Sequence, residues 1–271
     1  MPEHNRPTVA PELYTEEYFR TACEGYDEFN RSEGEQLSRR LKAAFELAAI
    51  RPGMLVLDVG CGRGEILRHC AELGAHAYGI DYAPVAVDMS ASVIRRSAST
   101  SGRIGVSQAN ARHLPFPDAT FDRVLMFDVV EHLYPWELQE ALREVHRVLK
   151  ADGRFIVHTA PNAWYDRYAY PVVRVVRTLM GQGSRYPANP REFLVGVNAH
   201  VHVNEQSLFS LRRVLQQANF DAHVWLDSPP QRWGRDPVGQ LRRLLFHIPP
   251  FRWFFQREVF AVAAKRVQRI G

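Results

Sequence analysis

The sequence predicts an α/β fold: a doubly wound sheet of seven short strands, mostly parallel, with helices on both faces. Three observations predict it. Short apolar runs alternate with helical patterns between residues 54 and 159, the pattern of a parallel sheet covered on both sides. The first two of these runs end on acids, Asp58 and Asp81. A glycine-dense loop joins the first run to the helix behind it.

Residues 1–12 hold three prolines and read as a loose arm. Residues 13–50 are helical: Leu37, Leu41, Ala44, Phe45 and Ala48 recur at spacings of three and four, one face of a helix. Arg51-Pro52-Gly53 stops it. The first strand is 54–59. A helix follows over 65–73, ended by Gly74, then a second strand over 77–80. Residues 84–96 are helical, with Pro84 suited to a first turn. Strands three and four are 104–108 and 121–129. The helix at 136–150 places Leu138, Leu142, Val145 and Leu149 on one face, and 154–159 is strand five. Residues 160–203 then break the rhythm with an insertion rich in Tyr, Pro, Asn and Arg. A helix over 204–219, a strand over 222–226, an irregular stretch over 227–257 and a last strand over 259–265 complete the chain. Long insertions in compact domains are functional or unstructured. The expected organisation is an N-terminal arm and helical lid (1–50), a ligand-binding core (51–160), an insertion over the active site (161–203) and the rest of the sheet (204–271). The last part carries a basic, apolar insertion at 227–257.

Composition narrows the class. The chain has 271 residues, 46% hydrophobic and 24% charged, which is ordinary for a globular protein. Its three cysteines, Cys23, Cys61 and Cys70, form neither a disulfide framework nor a CxxC zinc pattern. They fit a reducing, cytoplasmic setting. The N-terminus lacks the basic flank and apolar run of a secretory signal. The net charge of +4 is uneven: residues 231–271 carry +7, which leaves −3 for the remainder. The high isoelectric point therefore reports a basic tail rather than a nucleic-acid-binding body.

Residues 55–65 read LVLDVGCGRGE. Gly60, Gly62 and Gly64 allow a sharp turn and a close ligand approach that a Cβ would block. Exposed loop amides and the start of the next helix favour an anionic group. The dinucleotide fingerprint GxGxxG would need glycine where Glu65 stands. An acid there disfavours a pyrophosphate and suits an amino-acid-like ligand with an ammonium group. Asp81, at the end of the second strand, suits ribose hydroxyls.

These residues, with the later stretch Asn110–Asp122 (NARHLPFPDATFD), resemble the class I S-adenosylmethionine-dependent methyltransferases over about residues 37–160. The resemblance includes the type 11 and ubiquinone-pathway O-methyltransferase-like branches. It implies a Rossmann-like, seven-stranded sheet with an antiparallel last strand and S-adenosyl-L-methionine as cofactor. It further implies a cofactor site of Asp58, Gly60, Cys61, Gly62, Gly64, Asp81, Tyr82, Asn110, Ala111 and Asp128. The glycine loop would hold the methionine part, Asp81 the ribose, and Asn110 and Ala111 the adenine. Many relatives have Asp at position 110; Asn still accepts through its carbonyl.

The fourth strand runs into Asp128-Val129-Val130-Glu131-His132. Strand ends line the crevice of such sheets, which places these side chains near the transferred methyl. An oxygen acceptor loses a proton, so a base helps. His132 is the first candidate, with Glu131 beside it. Asp128, Glu131 and His132 resemble the Glu-x-x-Glu-His pattern of metal-dependent O-methyltransferases and would offer a divalent ion two carboxylates and an imidazole. No metal is assigned. Alternation along His200-Val201-His202-Val203-Asn204 puts His200, His202 and Asn204 on one side of an extended segment, with Asn204 as the cap of the next helix. His202 is the candidate brought over the crevice.

No basic and aromatic interleaving for a nucleic-acid groove occurs over 51–160. A small-molecule or saccharide acceptor, lipid-linked in one variant of this reading, is expected, with O-methylation as the reaction. Tyr14, Tyr18, Phe19, Tyr26 and Phe29 are candidates for a lid or acceptor wall, and Trp164–Tyr170 for a second lid or sugar-stacking face. Residues 241–255 mix Arg242, Arg243 and Arg252 with nine large apolar residues. They suit either packing on the sheet edge or peripheral contact with an anionic membrane. A non-catalytic cofactor-binding protein and a nicotinamide oxidoreductase are the competing classes.

Overall fold

The computed structural model of the chain describes residues 6–97, 101–188, 198–227 and 237–266. Three helices come first, α1 (Glu16–Thr21), α2 (Tyr26–Ser32) and α3 (Arg39–Leu47). The alternating core follows as β1 (Leu55–Val59), α4 (Glu65–Glu72), β2 (His76–Asp81), α5 (Pro84–Arg96), β3 (Ile104–Gln108), β4 (Phe121–Phe127), α6 (Pro135–Val148) and β5 (Leu149–Thr159). Then come α7 (Tyr170–Leu179), α8 (Asn198–Val201), α9 (Leu208–Gln217), β6 (Phe220–Asp227), α10 (Pro237–His247), α11 (Arg252–Phe255) and β7 (Glu258–Lys265).

The seven strands form one sheet in the order β3-β2-β1-β4-β5-β7-β6. Strands β1 to β5 pair with one another in parallel, and β7 is antiparallel to both β5 and β6. The chain winds outward from β1 to β3, then returns to place β4 on the other side of β1. The ends of β1 and β4 therefore form the switch point at which ligands bind in such sheets.

Alternate strand residues face opposite layers. Leu57, Val59, Val124 and Met126 pack with Leu138, Leu142 and Val145 of α6 and Leu211 and Leu215 of α9. Val56, Leu125 and Phe127 pack with Leu41 and Ala44 of α3 and Ile66, Leu67 and Cys70 of α4. Each large side chain removed from water contributes roughly 1.5–3 kcal/mol. A third cluster lies at the strand ends. Val9, Tyr18, Phe19 and Phe29 seat the N-terminal helices on Ala83, Ala86, Met89 and Val93, beside Val201.

Several boundaries differ from those read in the sequence. Strand β4 stops at Phe127 rather than 129, because Asp128 turns the chain into the left-handed region (φ 54°). Strand β5 starts at Leu149, which pairs with Phe121, so the expected helix over 136–150 ends earlier. Strand β6 spans more than 222–226, since β7 pairs with it from Phe220 to Asp227. Helix α9 begins at Leu208 rather than 204. Its cap is Ser207, whose hydroxyl accepts from the Ser210 amide, and not Asn204. Among the described residues, no helix is long and apolar enough to cross a membrane.

Candidate cofactor and acceptor site

The ends of β1, β2 and β4 open on a cleft of about 1110 Å³, part of it continuous with solvent. Asp58 and the loop from Gly60 to Gly62 form its floor. Asp81, Tyr82, Asn110 and Ala111 stand on one side, Asp128 and His132 on the other, and Tyr14, Tyr18 and Phe19 lie over the top.

Two glycines make the floor possible. Gly60 has φ 77°, and a Cβ there would lie 2.4 Å from Val129 Cγ2. Gly64 has φ 84°, and its Cβ would lie 2.8 Å from Ser90 Oγ and 2.9 Å from Ser90 Cα. Only glycine accepts both the backbone angle and the contact. The loop amides, however, are not left open for an anion. Those of Gly60 and Cys61 donate to the Ile80 carbonyl at 2.8 and 3.0 Å, and that of Gly64 to the Cys61 carbonyl at 2.9 Å. The Gly62 amide donates to Asp81 Oδ2 at 3.0 Å. The expectation of an anion-holding amide cradle is thus corrected: the loop's glycines serve its shape.

The acids sort into different jobs. Asp58 is buried at the end of β1 and receives no hydrogen bond from the described residues. Burial first, then the charges of Glu65 and Asp81, push its carboxyl up to about 8. Asp81 is also raised by burial, against the lowering effect of its bonds from the Ala83 and Gly62 amides. It therefore fixes the glycine loop to the start of α5 and still presents spare lone pairs. Glu65, expected to meet an ammonium group, is instead taken by Arg63: Arg63 Nη2 lies 2.6 Å from Glu65 Oε1, both side chains buried. Asp58 is the buried acid on the floor with no ion-pair partner among the described residues. Asn110 Oδ1 accepts from the Arg112 amide at 3.0 Å and from Arg112 Nε at 3.3 Å. The carbonyl expected to meet an adenine amino group already has these partners. Cys61 Sγ lies against Ser90 Oγ at 3.6 Å, and the Tyr82 hydroxyl donates to the Val9 carbonyl, which ties the arm to the cleft.

Past β4, the structure separates residues that the sequence groups together. Asp128 faces the cleft wall, but its Oδ1 lies 2.8 Å from His158 Nδ1. The charges of His158 and Arg40 hold its carboxyl well below the usual range despite burial. Glu131 is turned inward. Thr159 Oγ1 donates to its Oε2 at 2.7 Å, and its backbone carbonyl accepts from the Val203 and Asn204 amides at 2.9 and 3.0 Å. Burial, then Asp128, push Glu131 up to about 8. The amide pair on Glu131 brings His202 edge-on to His132, with ring centroids 4.9 Å apart. His132 lines the cleft, its Nδ1 buried without a hydrogen-bond partner among the described residues. Burial first, then His202, push its imidazole down to about 3, so it stays neutral. Ligand atoms of Glu131, His132 and His202 lie within 4.8 Å of one another and form a donor set that suits a divalent ion. This corrects the set read from the sequence, because Asp128 belongs to His158. His200 also departs from expectation: residues 198–201 are helical, and His200 is exposed.

Arg63, His158 and Arg40 escaped the sequence reading. Arg63 donates to the Phe19 and Glu24 carbonyls and lies over the Phe29 ring, 5.0 Å from its centroid. It latches the N-terminal helices onto the glycine loop. The signal was local, a lone cation between two loop glycines and one acid. His158 was findable only through register, since β5 places it opposite Phe127. Of the aromatic candidates for a lid or acceptor wall, Tyr14, Tyr18 and Phe19 line the cleft, and Tyr26 and Phe29 do not. No described residue of 161–203 lines the cleft. Trp164 instead stacks on Phe254 at 5.2 Å and packs on Phe209.

Residues 57–157 match the family model described as a methyltransferase domain. A probable S-adenosylmethionine-dependent methyltransferase of Mycolicibacterium smegmatis is 30% identical over 184 residues, 68% of this chain and 58% of that protein. The chain thus spans less than two thirds of that relative. The ubiquinone/menaquinone biosynthesis C-methyltransferase UbiE of Pseudomonas savastanoi pv. phaseolicola is 28% identical over 222 residues, 76% of this chain and 80% of that protein. Among solved structures, the PH0226 protein of Pyrococcus horikoshii superposes with a TM-score of 0.58 at 16% identity, over 95% of this chain and 100% of that one.

Proposed function

We propose that this chain, which carries in residues 57–157 a methyltransferase domain of the class I S-adenosylmethionine-dependent family, methylates an oxygen of a small-molecule or saccharide acceptor. The observation that carries the reading is the place of His132: its imidazole lines the cleft and its Nδ1 has no hydrogen-bond partner among the described residues. The cofactor supplies a methyl already activated on a sulfonium. The protein's work is then to position an acceptor in line and remove its proton.

The residues fit both tasks. Asp58 offers a buried carboxylate to the cofactor's ammonium, and Asp81 has lone pairs for the ribose hydroxyls. Tyr14, Tyr18 and Phe19 close the top and exclude water. His132 takes the acceptor's hydroxyl proton as the methyl reaches oxygen. His202 packs edge-on against the His132 ring, and the Glu131 backbone carbonyl holds the Val203 and Asn204 amides beside it; we assign both residues positioning roles.

A second reading, C-methylation, has one observation in its favour: the similarity to a relative named as a C-methyltransferase. The same base serves it, because a deprotonated enol or phenol is nucleophilic at carbon as well as oxygen. Incubation with isotopically labelled S-adenosylmethionine and a panel of sugars, phenols and quinols tests both. A labelled methyl ether supports the proposal, and a ring-methylated product replaces it with the second reading. Cofactor binding without turnover on any acceptor would support the non-catalytic class.

A further inference from the structure

Helix α7 turns its apolar face away from the protein. Val172, Val175, Val176, Leu179 and Met180 follow at i, i+3, i+4, i+7 and i+8, which makes one continuous stripe. Each is at least half exposed, and Leu179 is 83% exposed. A surface helix ordinarily buries such a stripe. Here the opposite side is tied down instead. Tyr170 is buried and its hydroxyl donates to the Pro187 carbonyl at 2.7 Å. Arg174 Nε donates to the Tyr186 carbonyl at 3.1 Å, and the Arg177 guanidinium lies over the Tyr186 ring. These contacts fix which side of the helix faces outward.

A second apolar surface joins it. Leu244, Ile248 and Phe251 of the α10–α11 region are exposed. The helical turn Tyr165–Ala169 runs directly into α7. Phe254 of α11 packs on Tyr168 of that turn and stacks on Trp164, the residue before it. The charge of both segments has one sign. Residues 165–188 and 237–257 hold eight arginines and one acid, Asp166, while the rest of the chain has a net charge of −3. Exposed apolar side chains in such an excess of cations match an anionic lipid surface: the apolar groups enter the acyl boundary and guanidinium groups remain at the headgroups. None of the described helices can span a bilayer, so the contact is peripheral.

We propose that α7, with α10 and α11, docks this protein on an anionic membrane surface. The inference is independent of the identity of the methyl acceptor and adds α7 to the 241–255 segment. It predicts that the protein partitions onto vesicles more strongly as anionic lipid is added and less strongly as salt rises.

The test is co-sedimentation of the full chain with phosphatidylcholine vesicles, with and without phosphatidylglycerol, at low and high salt. Strong partitioning only with phosphatidylglycerol is expected. V175D/V176D should lower partitioning more than tenfold, and R243E about fivefold. All three residues are exposed and none lines the cleft, so bound S-adenosylhomocysteine reports that each variant is folded. L73D, at an exposed position on the core, should bind vesicles like wild type. The proposal is overturned if wild type stays in the supernatant at low salt, or if V175D/V176D partitions unchanged. A dimer that V175D/V176D disperses, in a protein that ignores vesicles, would overturn it in favour of a second copy as the occupant.

Discussion

Asp128 Oδ1 lies 2.8 Å from His158 Nδ1, with His158 fully buried at the end of β5. This contact decides the layout of the site. It takes the first acid of the Asp128–His132 stretch out of contention as a metal ligand and leaves His132 as the imidazole on the cleft wall. Replacing His158 with Ala would leave Asp128 with less compensation in a buried position. We expect H158A to lose about 3–5 kcal/mol of stability, read from denaturant unfolding, and H158A/D128N to recover much of it. A double variant as unstable as the single would contradict the pairing.

Cofactor affinity should depend on pH through Asp58. In the ligand-free protein its carboxyl titrates at about 8, so it holds a proton at pH 6–7. A ligand ammonium favours the carboxylate, and binding must release that proton. Affinity for S-adenosylhomocysteine therefore rises with pH, by up to roughly tenfold per unit, until the ligand's own amine titrates near pH 8. D58N should bind more weakly at pH 7.5 and show a flatter profile. The same group affects stability with a definite sign. Its folded value lies above its unfolded value, so it destabilises the ligand-free protein increasingly as pH rises from 4 to 8. D58N should thus raise the melting temperature at pH 8 and leave it nearly unchanged at pH 4.

Asp81 holds the glycine loop and faces the ribose in our proposal. D81A should weaken S-adenosylhomocysteine binding by about 1–3 kcal/mol, measured by calorimetry. Affinity equal to wild type would remove Asp81 from the cofactor site.

H132A should cut turnover at least 100-fold while cofactor affinity changes less than about threefold, since general-base removal typically costs two to four orders of magnitude. Equal turnover in the two proteins would rule it out as the base. H202N, which loses the ring behind it, should lower kcat more than it raises KM for the acceptor.

Arg63 ties the N-terminal helices to the glycine loop. R63A leaves Glu65 buried without its partner, and we expect a loss of about 3–5 kcal/mol, with faster hydrogen exchange across residues 15–33. Exchange confined to the glycine loop would contradict the latch.

Much of the fold was legible because strand burial and helix periodicity are local signals. The run at 121–129 could only be a buried strand, and the leucine spacing of α6 could only suit a sheet-covering helix. The end of that strand was not legible, because the apolar run continues through Val129 and Val130 while the backbone turns left-handed at Asp128. The glycine loop and Asp81 were readable from spacing. Their hydrogen bonds were not: a sequence shows that amides exist in a loop, but not that Ile80 and Asp81 engage them. The same limit explains His202. Alternation suggested an extended segment, whereas a helical turn at 198–201 and the Glu131 carbonyl set its position. Composition marked Tyr14, Tyr18 and Phe19 as candidates for a wall of the site, but Arg63, which ties the N-terminal helices to the glycine loop, was visible only in three dimensions.

The most direct test of the account is a calorimetric titration of the intact chain with S-adenosylhomocysteine in EDTA, repeated with magnesium and with NAD. Micromolar binding of S-adenosylhomocysteine, the same with and without magnesium, and none of NAD is the predicted result. Absence of S-adenosylhomocysteine binding in both conditions, or NAD binding in the same cleft, would contradict it.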